Sequence, residues 1–338
     1  MLACGWNATA YQVLNPGFMR WFASAGDALV GYVTHAGIRV VAGAPICAAD
    51  RLAAVAAEFG ADAARAGHRV CYFGAGARLE AICTGRGGHS LVLLGAQPVW
   101  DPRDWPSVIA RRRSVRAQLH RAWNKSVRVG EWPAARAGAS PELRRCLAEW
   151  LGTRGLPPLH FMVEPDTLGR LQDRRIFVAE RDGRVVAFLV ASPVPARDGW
   201  LVEQLVRGSE APNGTAELLV DAAMRTVGTA GARYATLGLS PLSARSGVVR
   251  GAEPLWLAMT LRWVRAHGRR FYNFEGLDAF KSKFAPTAWE PIYAIGAGPR
   301  FRARELYAIA GAFSRGSPVT LVARALASAA WRELTGRT

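Results

Sequence analysis

Two of the chain's three lysines lie close together in one short segment. Lys281 and Lys283 follow Phe271–Phe274, which predicts a buried strand, and Glu275 stands at its end, before a helix predicted from Leu277. Elsewhere in the chain arginine is the usual cation. The compact ammonium of a lysine could contact a carbonyl oxygen or a single phosphate oxygen. A carboxylate at a strand end could act as a general acid or base. Two solvated lysines and a helix-capping Glu275 are the alternative explanation.

A glycine-containing turn lies between a predicted strand and a predicted helix. Trp200–Arg207 predicts the strand, Thr215–Thr229 predicts the helix, and Asn213 and Gly214 lie between them. The first turn of such a helix presents unpaired backbone N–H groups and a positive dipole end, which favour a phosphate or an oxyanion. An ordinary capped helix is the more common explanation of such a turn.

A strongly basic stretch runs from Trp105 to Gly130 without an acidic residue. It predicts a helix from about Ser107 to Val127, whose charges cannot all be neutralised by neighbours one turn away. The residues expected to contact phosphate groups of tRNA or lipid are Arg111, Arg112, Arg113, Arg116, Arg121 and Lys125. A solvated helix in a basic protein accounts for them equally well. Charge reversal at Arg112 and Arg116 would distinguish the two.

The whole chain carries a large positive charge. Its 338 residues include 43 Lys and Arg against 26 Asp and Glu, a formal net charge of +17 at pH 7. This balance predicts a polyanionic partner, either nucleic acid or an anionic membrane surface. Because 50% of the residues are hydrophobic, the chain can bury a sizeable core, which excludes disorder as a description of the whole protein.

The cysteines, histidines and carboxylates form no metal-binding pattern. The five cysteines are scattered without CxxC or Cys/His spacing, so neither a metal site nor a disulfide framework is predicted. The sequence contains no recognisable signal peptide and no apolar run of about 18 residues. We therefore expect a cytoplasmic protein, with peripheral attachment at the inner face of the cytoplasmic membrane as an open alternative.

A similar order of elements occurs in both halves of the chain. Hairpins predicted at Ala28–Gly43 and Ile176–Phe188 share the tetrapeptide Arg-Val-Val-Ala after the turn. In each half a helix that ends in glycine then precedes a buried strand. The glycines are Gly67 in the first half and Gly231 in the second, and the same pattern occurs a third time at Gly268. A recurrence after about 150 residues indicates tandem duplication of one α+β unit.

The expected domain boundary lies in the Pro/Gly-rich stretch Trp132–Pro141, with a new helix from Pro141. These signals divide the chain into an N-terminal lobe at 1–135, a C-terminal catalytic lobe at 136–300 and a helical segment at 301–338. The apolar stretch Val319–Arg332 has basic interruptions and a Trp, as interfacial helices often do. Packing on the second lobe is its more common role.

Four segments together resemble a known enzyme family. They are Gly5–Gln12 (GWNATAYQ), Ala211–Thr215 (APNGT), Leu237–Leu242 (LGLSPL) and Phe271–Phe284 (FYNFEGLDAFKSKF). Over nearly the whole chain, this set is similar to the catalytic domain of bacterial aminoacyl-phosphatidylglycerol synthases, or phosphatidylglycerol lysyltransferases. The strand, glycine turn, helix and strand at Trp200–Leu239 also resemble the GCN5-related N-acetyltransferase core, although only Gly214-x-Ala216 of its pyrophosphate loop is present.

The resemblance implies an α+β fold of two tandem GCN5-related N-acetyltransferase-like lobes, a dual acyltransferase fold. It implies transfer of an aminoacyl group from aminoacyl-tRNA to a hydroxyl or amine of a lipid such as phosphatidylglycerol, through a tunnel between tRNA and lipid. No cofactor is implied, because aminoacyl-tRNA is the co-substrate. The second partner would be an anionic phospholipid or membrane surface. A separate membrane protein is the expected replacement for the family's flippase portion, which this sequence does not include.

The resemblance also implies the residues of the site. One wall, around the aminoacyl group, would consist of Arg207, Asn213 and Gly214. The second wall would consist of Glu275, Lys281, Lys283 and Glu290. Glu275 and Lys281 are the expected catalytic residues, with the Glu275 carboxylate accepting the hydroxyl proton. Glu203 and Asn273 complete the expected substrate-binding residues.

Two positions depart from the family's pattern. The family usually has Asp where this chain has Gln204, and often Arg where it has Ile292. Without that Asp, a cationic amino acid such as lysine is a less secure expectation, although Glu203 is adjacent.

Two other functions are compatible with the sequence. An acyl-coenzyme A-dependent N-acyltransferase of the same fold would be stabilised against unfolding by coenzyme A, whereas the tRNA-dependent enzyme would respond to an aminoacyl-tRNA analogue. A non-catalytic tRNA- or anionic-membrane-binding protein would bind strongly and turn over no aminoacyl-tRNA.

Overall fold

The structure, a computed structural model, describes residues 2–153, 159–248, 256–257, 259 and 273–314. Its strands are β1 (Met19–Phe22), β2 (Leu29–His35), β3 (Ile38–Ala42), β4 (Arg69–Ala75), β5 (His89–Trp100), β6 (Val127–Trp132), β7 (Arg175–Arg181), β8 (Arg184–Val194), β9 (Gly199–Arg207), β10 (Tyr234–Thr236), β11 (Ser240–Pro241) and β12 (Ala288–Ala297). Its helices are α1 (Leu52–Arg65), α2 (Ala77–Arg86), α3 (Trp105–Ala110), α4 (Arg113–Trp123), α5 (Ala134–Ala139), α6 (Pro141–Gly152), α7 (Thr215–Thr229), α8 (Phe274–Ser282) and α9 (Ala303–Ser314).

These strands form one sheet. Its order is β1-β2-β3-β4-β12-β5-β10-β9-β8-β7-β6, and β11 pairs with β5. The pairs β3–β4 and β9–β10 are parallel, as expected where a helix connects the two strands. β12 lies between β4 and β5, so the last described strand is part of the first half's sheet.

The same α+β unit occurs twice, as predicted. In each half three antiparallel strands precede a helix, and the next strand is parallel to the third: β1-β2-β3, α1 and β4 in the first half, and β7-β8-β9, α7 and β10 in the second. Helices α1 and α7 close before Gly67 (φ 71°) and Gly231 (φ 87°). The third predicted closing glycine, Gly268, lies outside the described residues.

The predicted hairpins are β2–β3 and β7–β8. In the second, Asp182 and Gly183 both have positive φ, as the tight turn requires. The shared Arg-Val-Val-Ala, however, begins at Arg39 in β3 and at Arg184 in β8. These are the third and the second strands of their units, so the tetrapeptide does not mark equivalent positions.

The basic stretch is not one helix, contrary to the prediction. α3 ends at Ala110, Arg112 has a non-helical backbone (φ −107°, ψ 81°), and β6 begins at Val127. The break allows apolar residues of both short helices to reach one core, Ile109 from α3 and Val115 from α4. Burial of both therefore outweighs the continuity of a single helix.

Helices cover both faces of the sheet in each half. In the second half α7, α3 and α4 pack on one face and α6 on the other; in the first half α1 and α2 pack on one face and α9 on the other. Within the described ranges, no helix is both long enough and apolar enough to cross a bilayer.

The sheet crosses the predicted domain boundaries. β6 lies before position 136 but pairs with β7, and β12 lies before position 301 but pairs with β4 and β5. The boundaries themselves stay predictions. The helix predicted from Pro141 is α6, whose first turn is capped by the Ser140 hydroxyl. α9 begins the predicted helical segment; residues 315–338, including Val319–Arg332, lie outside the described ranges.

Candidate active site

The second half of the sheet opens into a wedge. β9 pairs with β10 only where Gly199–Leu201 lie beside Tyr234–Thr236. After β10 the chain turns away from β9 and forms β11, which pairs with β5. β9 continues to Arg207, paired with β8 alone in the described part of the chain. In the first half, β3 and β4 stay paired over five positions. We call the gap between residues 202–207 and 237–240 the wedge, and it is the candidate active site.

A β-bulge lies in the part of β9 that borders the wedge, in its pairing with β8. Val190 pairs with Gln204 and Ala191 pairs with Val202, so Glu203 is an extra residue opposite β8. Such bulges re-aim side chains and are frequent next to active sites.

Lys281 of α8 reaches the opposite side of the wedge. Its Nζ donates to the carbonyl oxygens of Gly238 (2.8 Å) and Leu239 (2.9 Å), and only 5% of the residue is exposed. Burial lowers the pKa of Lys281 from 10.5 to about 7, although the Asp278 charge opposes the shift. An amine held in this way changes its charge near neutral pH.

The position of Lys281 follows from the packing of α8. Phe284, one turn further on, is fully buried beside Trp105, and the Trp100 indole N–H donates to its carbonyl oxygen at 3.0 Å. Residues three apart lie on the same face of a helix, so Lys281 points inward as well. Phe284 and Lys281 are both buried as a result.

The Lys281 pKa predicts a pH dependence of stability. Between pH 7 and about 10, unfolded lysine is protonated while folded Lys281 is mostly neutral. The unfolded state then binds more protons, so the unfolding free energy of the native chain should rise with pH relative to Lys281→Met, by up to about 1.4 kcal/mol per pH unit. Below pH 7 both states are protonated and the difference should be constant. Urea unfolding of both proteins at pH 6–9.5 measures this; parallel curves would contradict it.

The α7 N-terminus, where an anion seat is predicted, packs against a neighbouring helix. Gly214 has φ 95°, and a Cβ there would overlap the carbonyl oxygen of Gln118 in α4. The glycine is thus required because a neighbouring helix approaches it. Glu217 in the first turn of α7 already places a carboxylate at the positive end of the helix, paired with Lys283 Nζ at 2.5 Å. No side chain caps α7 at Gly214, so the anion seat stays a prediction beside the packing role of this glycine.

The loop before α7 is held from within. Arg207 at the end of β9 is exposed, and its Nη2 donates to the carbonyl oxygen of Ala211 at 3.1 Å. Asn213 is exposed at the tip of the same loop. Arg207 therefore ends β9 and Asn213 lies in the loop that follows, and their place in one wall of the site stays a prediction.

Glu203 is engaged in a buried ion pair. Arg174 donates from Nε to Oε2 (2.8 Å) and from Nη2 to Oε1 (3.0 Å), and the two side chains are 2% and 5% exposed. The neighbouring Gln204 accepts from the Thr167 hydroxyl and donates to the Pro165 carbonyl oxygen. The negative charge of Glu203 is therefore neutralised by Arg174. It does not substitute for the Asp that the family resemblance led us to expect at position 204.

Glu290 lies on the other face of the sheet from Lys281, not beside it on one wall. Its carboxylate pairs with Arg197 at 2.6 and 2.9 Å, and that guanidinium lies 3.6 Å from the Tyr234 ring centre. The preceding Trp289 contacts Arg245, the partner of Asp278 in α8. Because successive side chains of a strand point to opposite faces, Glu290 faces away from α8.

Glu275 is not at a strand end, contrary to the prediction. α8 begins at Phe274, and its N-cap is Asn273, whose Oδ1 accepts from the Gly276 N–H at 2.8 Å. Asn273 thus has a capping role that explains it without substrate. Glu275 is exposed in the first turn and lies six residues, or about 120° around the helix, from Lys281. Phe271 and Tyr272 lie outside the described residues.

The six predicted phosphate-binding cations fall into two groups. Arg112 donates to the Lys283 carbonyl oxygen at 3.0 Å, and Arg116 donates to the carbonyl oxygens of Ile109 and Ala110. These two satisfy helix C-termini. The exposed group consists of Arg111, Arg113, Arg121 and Lys125. Charge reversal at Arg112 and Arg116 would therefore disturb packing, and the exposed group is the appropriate target.

Sequence reasoning missed Arg174 and Arg197. Their partners Glu203 and Glu290 are 29 and 93 residues away, so no local spacing indicates either pair. The available signal was weak: Glu203 is the one carboxylate in the mostly apolar strand β9, and a buried carboxylate needs a cation. No group of three or more His, Cys, Asp or Glu side chains suited to a metal occurs among the described residues.

Comparisons with known proteins identify relatives of this architecture. The C-terminal domain of a putative lysylphosphatidylglycerol synthetase from Agrobacterium fabrum has a TM-score of 0.77 at 22% identity, covering 92% of this chain and 93% of that chain. L-PGS from Bacillus licheniformis has a TM-score of 0.74 at 22% identity, covering 99% and 94%. A conserved protein of unknown function from Bacteroides thetaiotaomicron VPI-5482 has a TM-score of 0.60 at 15% identity, covering 87% and 91%. Comparison with curated protein sequences finds no match.

These likenesses, together with the duplicated unit, confirm the expected acyltransferase-like α+β fold. The family itself follows from the sequence match. The family model described as phosphatidylglycerol lysyltransferase, C-terminal, matches residues 5–296, which include the wedge, α7, α8 and most of the sheet. The chain belongs to the phosphatidylglycerol lysyltransferase C-terminal family.

Proposed function

We propose that this protein transfers an aminoacyl group from aminoacyl-tRNA to a hydroxyl group of a lipid such as phosphatidylglycerol. The family match supports transfer of an aminoacyl group to lipid, and the wedge beside Lys281 carries the assignment to this part of the chain. The lipid hydroxyl attacks the ester carbon, a new ester forms on the lipid, and the tRNA 3′-oxygen leaves. No cofactor is required, because the donor ester is already activated.

Lys281 is the residue best suited to the proton transfer. A neutral amine has two N–H donors and one lone pair. With both donors directed at the carbonyl oxygens of Gly238 and Leu239, the lone pair is the remaining position on the nitrogen. It can accept the hydroxyl proton and return it to the leaving tRNA oxygen, and a lysine pKa near 7 suits that exchange. This role replaces the one that we expected of Glu275.

The exposed group, in and next to α4, is proposed to bind the tRNA backbone. It joins the active-site region directly, because Arg112 of the intervening break donates to Lys283 at the end of α8. Trp123 on the same helix is 43% exposed, and exposed aromatic rings among cations are common in single-stranded RNA sites.

Charge reversal at Arg113 and Arg121, both to Glu, should weaken tRNA binding and flatten its salt dependence. We expect the slope of log affinity against log salt to fall by about 0.7–0.9 for each lost phosphate contact. Filter binding or fluorescence anisotropy at several salt concentrations measures this slope. Arg300→Glu with Arg302→Glu is the matched control, since both are exposed beyond β12 and the net charge changes equally. Equal slopes in the two variants would refute the assignment.

The decisive experiment is incubation of the protein with labelled aminoacyl-tRNAs and vesicles containing phosphatidylglycerol, followed by a search for labelled lipid. Labelled lipid supports the proposal, and tRNA binding without labelled lipid favours a non-catalytic binding protein. An acyl-coenzyme A donor is disfavoured, because Gly214 contacts α4 where a pyrophosphate would need to approach. Peripheral membrane association and a cytoplasmic location remain part of the same proposal and are tested by vesicle flotation and cell fractionation.

A further inference from the structure

The carboxylates on the elements around the wedge are already paired with cations. Glu203 of β9 pairs with Arg174, Glu217 of α7 with Lys283, and Asp278 of α8 with Arg245. Further along α7, Asp221 accepts from the Trp105 indole and from Arg225. Glu290 of β12 pairs with Arg197. Glu275 is exposed on the solvent side of α8, where water and salt screen its charge.

The pair nearest the bulge of β9 cannot exchange its cation easily. Arg174 makes two bonds to Glu203 and also donates to the Arg170 carbonyl oxygen at 2.5 Å, with its guanidinium 4.9 Å from the Tyr11 ring centre. A ligand ammonium that took over Glu203 would leave a buried guanidinium without its counter-charge. Separating a buried pair in this way is strongly unfavourable.

Two cations at the wedge have no carboxylate partner in the part of the chain that the structure describes. Lys281 donates only to the carbonyl oxygens of Gly238 and Leu239, and Arg207 only to that of Ala211. The Arg207 charge opposes a second cation in the wedge at every pH of interest, and Lys281 adds to this repulsion when it is protonated. Every aminoacyl donor carries the same α-amino group. The wedge can therefore distinguish one donor from another only by the amino-acid side chain.

We infer that the transferred aminoacyl group has an uncharged side chain, and that the Arg174–Glu203 pair excludes cationic ones. This inference rests on the proposed function and narrows its donor. Specificity is a difference of affinities, and here the unfavourable element is the unpaired positive charge that a lysyl or arginyl group would meet.

In the test, the same tRNA is charged with either methionine or lysine. The two donors then have the same tRNA and side chains of similar length, and they differ in side-chain charge. Transfer to phosphatidylglycerol vesicles is measured as kcat/KM for each donor. We expect methionyl transfer to be at least about 10-fold more efficient. Equal or better lysyl transfer would overturn the inference and leave the proposed function intact. No transfer from any donor, in a wider set that includes alanyl- and seryl-tRNA, would overturn both.

Two variants test the pair itself. Arg174→Gln releases the Glu203 carboxylate and should raise lysyl relative to methionyl transfer at least about 10-fold. Arg174→Gln with Glu203→Gln removes both charges and should return the preference to methionyl. An unchanged ratio in folded Arg174→Gln would overturn the role of the pair. The double variant contains no unpaired buried charge, so we expect it to fold. If Arg174→Gln does not fold, the comparison of methionyl and lysyl transfer by the native protein still decides the inference.

Discussion

Replacing Lys281 with Met is expected to lower kcat for aminoacyl transfer by about 10²-fold or more, because a general base contributes about 10²–10⁴-fold to such reactions. With the native protein kcat should rise with pH through about 7 and then level off, as the amine loses its proton. Lys281→Arg keeps the N–H donors but cannot lose a proton near neutral pH, so it should be as inactive as Lys281→Met. Steady-state transfer assays between pH 5.5 and 9 provide both readouts.

The control for this series is Ser282→Ala. Ser282 lies next to Lys281 on α8, and its hydroxyl donates only to the Ala279 carbonyl oxygen of the same helix in the described structure. It should retain native activity and the native pH profile. Recovery of activity in Lys281→Arg would show that Lys281 holds the Gly238–Leu239 segment in position and does not transfer a proton. Circular dichroism at the assay temperature verifies that each variant is folded.

Gly214→Ala is expected to destabilise the protein by about 2–4 kcal/mol. The alanine would have to adopt φ 95°, and its Cβ would overlap a backbone oxygen of α4, which cannot move without displacing that helix from α7. Urea unfolding measures the loss. Gly130→Ala is the matched control, since Gly130 is exposed in β6 with no atom near its Cβ position; its effect should be within about 0.5 kcal/mol.

The same substitution separates two explanations of the glycine turn. If Gly214 is required for the contact with α4, Gly214→Ala should lower the free energy of unfolding, and donor binding should weaken as a consequence. If it is present so that a ligand phosphate can approach the backbone, Gly214→Ala would keep native stability and lose donor binding. The second outcome would support the predicted anion seat and the acyl-coenzyme A alternative.

Much of the second half could be predicted because its signals are local. The bounds of α7, the hairpin at Asp182–Gly183 and the glycine after α7 each depend on residues a few positions apart. The predicted helix over Ser107–Val127 failed for the opposite reason. Its break at Arg112 is favoured by burial of Ile109 and Val115 against distant parts of the chain, which no local pattern contains.

The sequence by itself determined that the fold is a duplicated α+β unit, that the chain carries an excess of positive charge, and that its few lysines are concentrated near one site. Only the tertiary structure decided what those charges contact. Lys281 faces two carbonyl oxygens, Glu203 and Glu290 are neutralised by Arg174 and Arg197, and Glu275 points elsewhere. Periodicity and turn residues act over a few positions, whereas ion pairs and burial join residues that only the completed sheet brings together.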